Sequence, residues 1–157
     1  MQIINTANIN EARKQIQKLQ KEQKKENPEK IAVLSQADEF NRKALEIKGL
    51  NMLIINEALE IKDYSKQRNS QLNEVLAKIC AQKGIEIGIQ IDEIIRKGMK
   101  EQARALSRLM QNIMLCKKAG AKLVFIGSAK DKKALQSLLI SLKASTKQAF
   151  DTVKQHF

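Results

Sequence analysis

The side chains best suited to chemistry in this chain are cations. Lys66 and Arg68 share one polar connection with Lys62, and Lys130, Lys132 and Lys133 cluster in another. Arg104 and Arg108 stand four residues apart, so on a helix they share one edge, with Asn112 a turn further on. Lys14, Lys18, Lys21 and Lys25 recur at three- and four-residue steps, a row that one helical face would present outward. Such rows attract polyanions, because each cation placed near a phosphate releases condensed counterions. They suit a plain solvated face equally well, and Glu11 and Glu22 lie close enough to neutralise part of the first row.

Other chemistry is scarce. The single histidine, His156, sits next to the carboxyl terminus, a poor position for a general base or a metal ligand. No Gly-x-Gly-x-x-Gly or Gly-Lys-Ser/Thr loop is present to cradle a nucleotide. The acidic residues alternate with lysines, and no inward carboxylate cluster of the kind that holds magnesium stands out. The sequence therefore assigns no catalytic residue, no metal and no protein-bound cofactor. Cys80 and Cys116 fall on apolar helix faces without ligand-like spacing, which reads as buried reduced thiols and a cytoplasmic chain.

Elements that must position the cations follow from composition and pattern. With 157 residues, 43% of them hydrophobic, the chain suits one domain with a sizeable core. Aromatic residues make up only 3%, so that core must be aliphatic. Lys and Arg number 29 against 17 Asp and Glu, a net charge of +12 that favours a polyanionic partner. No apolar run approaches the ~20 residues that span a bilayer, and the amino terminus lacks a signal-peptide pattern.

Short β-prone runs alternate with amphipathic segments. Strands are predicted at Gln2–Asn5, Lys30–Ser35, Met52–Ile55, Ile85–Gln90 and Lys122–Gly127. A helix from Ile9 to Glu26 is capped by Asn8, and others end near Lys48, before Gly84 and before Gly120. Asn69-Ser70 and Ser128 through Asp131 read as further caps, and Ser145 opens a last short helix whose apolar side is Ala149, Phe150 and Val153. The central helices are read to bury Leu72, Val75, Leu76, Ile79 and Cys80, then Leu106, Leu109, Met110 and Ile113. Ile91, Ile94 and Ile95 form an apolar segment suited to covering the sheet end or meeting another subunit. This alternation defines an α/β domain with a parallel sheet of about five strands, whose carboxyl edge gathers the loops that bind ligands.

Four stretches also carry a family likeness. QRNSQLNEVLAKICAQKGIEIGIQ and ARALSRLMQNIMLCKKAGAKLVFIGSA contain Ser70, Leu72 and Asn73, then Arg104, Arg108 and Asn112, then Leu123 and Val124. Asn41-Arg42-Lys43-Ala44 precedes them in the same order. Together they resemble protein component 3 of archaeal ribonuclease P, a family shared with eukaryotes. The resemblance implies a reduced or open TIM-barrel-like fold, in a chain that begins inside the usual family sequence. It implies a non-catalytic subunit that binds ribonuclease P RNA, pairs with a second protein subunit and meets precursor tRNA indirectly. Magnesium would then sit on the RNA. The charge pattern nominates Lys66, Arg68, Lys130, Lys132 and Lys133 for RNA contact, then Arg104, Arg108 and the lysine row from Lys14 to Lys25. The sequence departs from the family at Gln71, where a glycine is usual, and at Gly88 and Gln90, where Asn and Arg are. The competing reading is a small α/β enzyme or binding domain holding a phosphorylated metabolite at the same basic edge.

Overall fold

The computed structural model describes residues 1–23, 28–56, 62, 63, 65, 68–128 and 131–154. Its elements run β1 (Gln2–Ile4), α1 (Ile9–Glu22), β2 (Ile31–Leu34), α2 (Asp38–Ala44), β3 (Met52–Ile55), α3 (Glu74–Lys83), β4 (Glu86–Gln90), α4 (Ile91–Ile95), α5 (Met99–Ala119), β5 (Leu123–Ile126), α6 (Lys132–Ser141) and α7 (Thr146–Lys154). The strands lie in the order β1-β2-β3-β4-β5, and every neighbouring pair is parallel. This is a reduced, open TIM-barrel-like sheet: β1 and β5 each pair on one side only.

Side chains alternate across a strand, so each strand contributes to two different layers. Ile31, Val33, Leu53, Ile55, Ile87, Ile89, Leu123 and Phe125 point to the helix-covered face and join the main core. Ala32, Met52, Ile54 and Val124, with Leu34 and Ile126 at their margin, form a second cluster on the inner face. Gly88 lets that inner cluster close. A Cβ there would lie 2.6 Å from Ile126 Cδ1, 2.8 Å from Met52 Sδ and 3.1 Å from Ile54 Cγ1.

Helix ends mix agreement with correction. Asn8 caps α1 as read, accepting from the backbone of Asn10 and Glu11 at 3.0 and 3.3 Å. The reciprocal half differs, since the Glu11 carboxylate takes the Thr6 hydroxyl at 2.7 Å. Helix α3 starts later than the Asn69-Ser70 reading, because Asn73 is the cap, accepting from Leu76 N–H at 2.9 Å. Asp131, not Ser128, caps α6 through Ala134 N–H at 3.0 Å. Helix α2 stops at Ala44 rather than near Lys48, its chain turning before Gly49 at φ +87°.

Some faces rotate relative to the periodicity reading. Val75 is 56% and Phe150 55% exposed, while Thr152 takes the buried position on α7. Ala105 and Asn112 are buried on α5, where Met110 was expected. Ile91 and Ile94 are 0% and 1% exposed, packed in the chain's own core, so neither can meet a partner; only Ile95, at 53%, stays outside. The hinge from β4 directly into α4 turns those two isoleucines onto the helix-covered face.

Cys80 and Cys116 are fully buried, and burial pushes each thiol up to about 12, with the neighbouring Cys80 adding to the effect at Cys116. Neither is expected to react with an aromatic disulfide reagent at pH 8 in the folded protein. Both react once denaturant exposes them, since the thiolate is the reacting species. Rapid native labelling would show that α3 and α5 do not pack as described.

Candidate nucleic-acid interface

The carboxyl edge of the sheet is built from polar residues that tie its loops together. Ser35, directly after β2, shares a short hydrogen bond with Gln71 Oε1. Asn56, directly after β3, donates its N–H to Ser35 Oγ at 2.9 Å and to Gln71 Oε1 at 3.1 Å, while Gln71 Nε2 donates to Asn56 O at 2.7 Å. One side-chain amide therefore bridges two strand ends. Gln71 adopts φ +60°, a left-handed conformation that glycine takes most cheaply. Here a glutamine accepts the strain and its amide supplies the bridge. Asn41, fully buried, holds the same network by accepting from Gln36 N–H at 2.7 Å and donating to Gln36 O at 3.0 Å and Gln71 O at 3.3 Å.

Asp63 organises the basic loop beyond this network. Its carboxylate accepts from Arg68 Nη1 at 2.8 Å, from Asn69 N–H at 2.9 Å and from Arg108 Nε and Nη2 at 3.2 Å each. From α5, Gln111 Nε2 donates to Arg68 O and Ser70 Oγ, both at 2.9 Å, and Asn112 Nδ2 reaches Ser70 O at 3.5 Å. Arg68 and Arg108, nominated from separate stretches, thus converge on one carboxylate. They do not have equal freedom. The Arg108 side chain is 16% exposed and committed to Asp63, whereas that of Arg68 is 50% exposed.

Asp63 was absent from the sequence-derived set. It is the acidic residue within the run from Lys62 to Arg68, the signal by which it was legible. Burial alone would raise its pKa, but hydrogen bonds from Arg68 and Asn69 and the charge of Arg108 outweigh that and hold the carboxyl below its ordinary 3.8. The clasp is therefore complete above the unfolded value and is lost as pH falls through the lower folded one. Asp63→Ala is expected to cost about 1–3 kcal/mol, since Arg68, Asn69 N–H and Arg108 all lose the carboxylate they donate to. Urea melts at pH 7 and pH 3 check both points: the gap between variant and parent should shrink on acidification. An equal gap at both pH values would remove Asp63 from this role.

A second pinned loop flanks the first. Asp92 Oδ2 accepts the Ser128 N–H and hydroxyl, each at 2.8 Å. Gly127, at φ +149°, lies so close that a Cβ would come within 2.8 Å of the Asp92 carboxyl. Lys132 and Lys133 follow as exposed residues opening α6. With two strand spacings between β3 and β5, the two loops emerge roughly 10 Å apart on the same edge. That separation is comparable with a short stretch of phosphate backbone. Arg104, exposed one turn before Arg108, extends the basic surface along α5.

The other nominated residues divide. Lys14, Lys18 and Lys21 are exposed on α1, and Lys18 stands 3.8 Å from Glu22. Lys25, Lys66 and Lys130 lie outside the described residues, as does Tyr64. A cleft of about 340 Å³ beside Arg68 is lined also by Asp38 and Glu74. Glu74 there is paired with Lys78 at 3.0 Å and with Lys118 at 3.1 Å. Among the described residues, no three His, Cys, Asp or Glu side chains come together as metal ligands would. None of the described helices is long and apolar enough to cross a membrane.

Fold and edge together define an open TIM-barrel-like α/β domain with a basic, loop-built carboxyl edge. A chain in the cryo-EM structure of archaeal ribonuclease P with mature tRNA is similar to it, with a TM-score of 0.75 and 19% sequence identity. The similarity covers 98% of this chain and 63% of that one, so this chain spans less than two thirds of its structural neighbour. No protein-family model matches the sequence, and no curated protein does.

Proposed function

We propose that this chain is a non-catalytic protein subunit of ribonuclease P, of the component 3 type, which supports the RNA subunit in removing 5′ leaders from precursor tRNA. The observation that carries the reading is a fold shared, over 98% of the chain, with a chain of an archaeal ribonuclease P complex. The basic carboxyl edge supports it. Arg68 beside Asp63, and Lys132 and Lys133 in the first turn of α6, provide cations on ordered backbone, so RNA binding would not have to order them first. By lowering repulsion between phosphates, they let RNA structure form at lower salt. Phosphodiester hydrolysis and its magnesium are assigned to the RNA, and precursor tRNA is met through that RNA. A second protein subunit completes the assembly, and the cytoplasm is the proposed compartment.

The experiment is recovery of the tagged chain from its own cells with sequencing of the RNA that accompanies it. Enrichment of ribonuclease P RNA, falling steeply between about 50 and 200 mM salt, is the expected result. Recovery without a specific RNA would overturn the reading.

A further inference from the structure

Helix α5 carries a second stripe besides the one it buries. Met110 and Met114 stand one turn apart, Lys117 and Lys118 follow one turn later, and this line is distinct from buried Ala105, Leu109, Ile113 and Cys116. Met114 is 55% exposed and Met110 half-buried. With Lys143, from the turn after α6, they enclose an open groove of about 670 Å³. Lys143 takes a left-handed φ of +75°, and its N–H bonds to Ile140 O at 3.0 Å. Glycine would hold that turn at lower cost. The lysine is thus kept on the groove's rim at an energetic disadvantage.

The floor and rim together select the occupant. Thioethers offer nothing to a phosphate, and among the described residues the groove has no aromatic ring on which a base could stack. A second copy of this chain would bring lysines against lysines, in a protein already carrying +12. A helix with an apolar ridge and acidic flanks satisfies both parts. Methionine packs adaptably against such a ridge, and the ridge is read as anchors at three- and four-residue spacing. Lys118 is already paired with Glu74 at 3.1 Å, which leaves Lys117 and Lys143 as the rim cations for such flanks.

We propose that this groove docks an amphipathic, acid-flanked helix of another protein, with its apolar ridge on Met110 and Met114 and its carboxylates on Lys117 and Lys143. The site lies toward the amino edge of the sheet, because α5 runs back from the carboxyl edge to enter β5. RNA and protein partner can therefore be held at once. The proposal does not rest on the RNA reading.

The test places p-benzoylphenylalanine at position 114 of the full chain, in its own cells, and sequences what it cross-links. The expected product is one protein, joined through a segment of acidic amphipathic pattern. Met114→Ser, probed from position 110, and Lys143→Glu should each reduce that product about tenfold. Both positions are exposed, so neither change disturbs the core. A cross-link to RNA, to a second copy or to no single protein would overturn the proposal, as would a product indifferent to both variants. RNA recovered from the same cells separates the two ideas. Loss of RNA with the cross-link retained defeats only the ribonuclease P reading, and the reverse defeats only this one.

Discussion

Leucine in place of Gly88 is expected to destabilise the fold by about 3 kcal/mol or more. A Cβ alone would already meet Ile126 Cδ1 at 2.6 Å and Met52 Sδ at 2.8 Å. Both are ends of flexible side chains, so Gly88→Ala should cost far less, because each can swing aside by a few tenths of an ångström. Leucine adds a branched group that those small adjustments cannot clear, and Ile54 Cγ1 blocks a third direction at 3.1 Å. A whole domain is stable by only about 5–15 kcal/mol, so the leucine variant should unfold at a much lower urea concentration. A midpoint equal to the parent's would show that the inner face does not close over β4.

Neutralising Arg104, Lys132 and Lys133 to glutamine should lower the slope of log affinity against log salt by about 2 to 3, measured on ribonuclease P RNA. These three are exposed and lie along or beside the carboxyl edge. Lys14→Gln, Lys18→Gln and Lys21→Gln provide the comparison, as the exposed cations of a separate helix, α1. A larger loss from the α1 triple would move the interface to that helix, and no loss from either would remove the RNA reading. Arg108→Gln has a different expected signature. Its guanidinium is committed to Asp63, so the change should appear mainly in stability, with a smaller change in the salt slope.

The legible and illegible parts of the site separate by range of interaction. Strand identity, the Asn8 cap and the closing glycines at 84 and 120 depend on neighbours within a few residues, and the pattern along the chain carried them. Parallel order was legible too, because short apolar runs alternating with helices have few other ways to cover both faces. The clustering of Arg68 with Arg108 was not. Each was recognisable as a cation, but their meeting depends on Asp63, which lies 45 residues from Arg108. Gln71 was read as a departure from a family glycine. Only the left-handed φ and the ends of β2 and β3 together show what the glutamine does there.

By itself, then, the sequence determined an aliphatic parallel α/β domain with an excess of cations at its loops and helix faces. Local propensity, capping chemistry and net charge act over a turn or two and need no folded context. The tertiary structure alone decided which cations are bound internally and which stay available, which isoleucines of the Ile91–Ile95 segment are core, and which methionines of α5 are surface. Those outcomes depend on how α4 and α5 are rotated against the sheet. That rotation is set by packing among residues far apart in the chain, and periodicity within one helix cannot specify it.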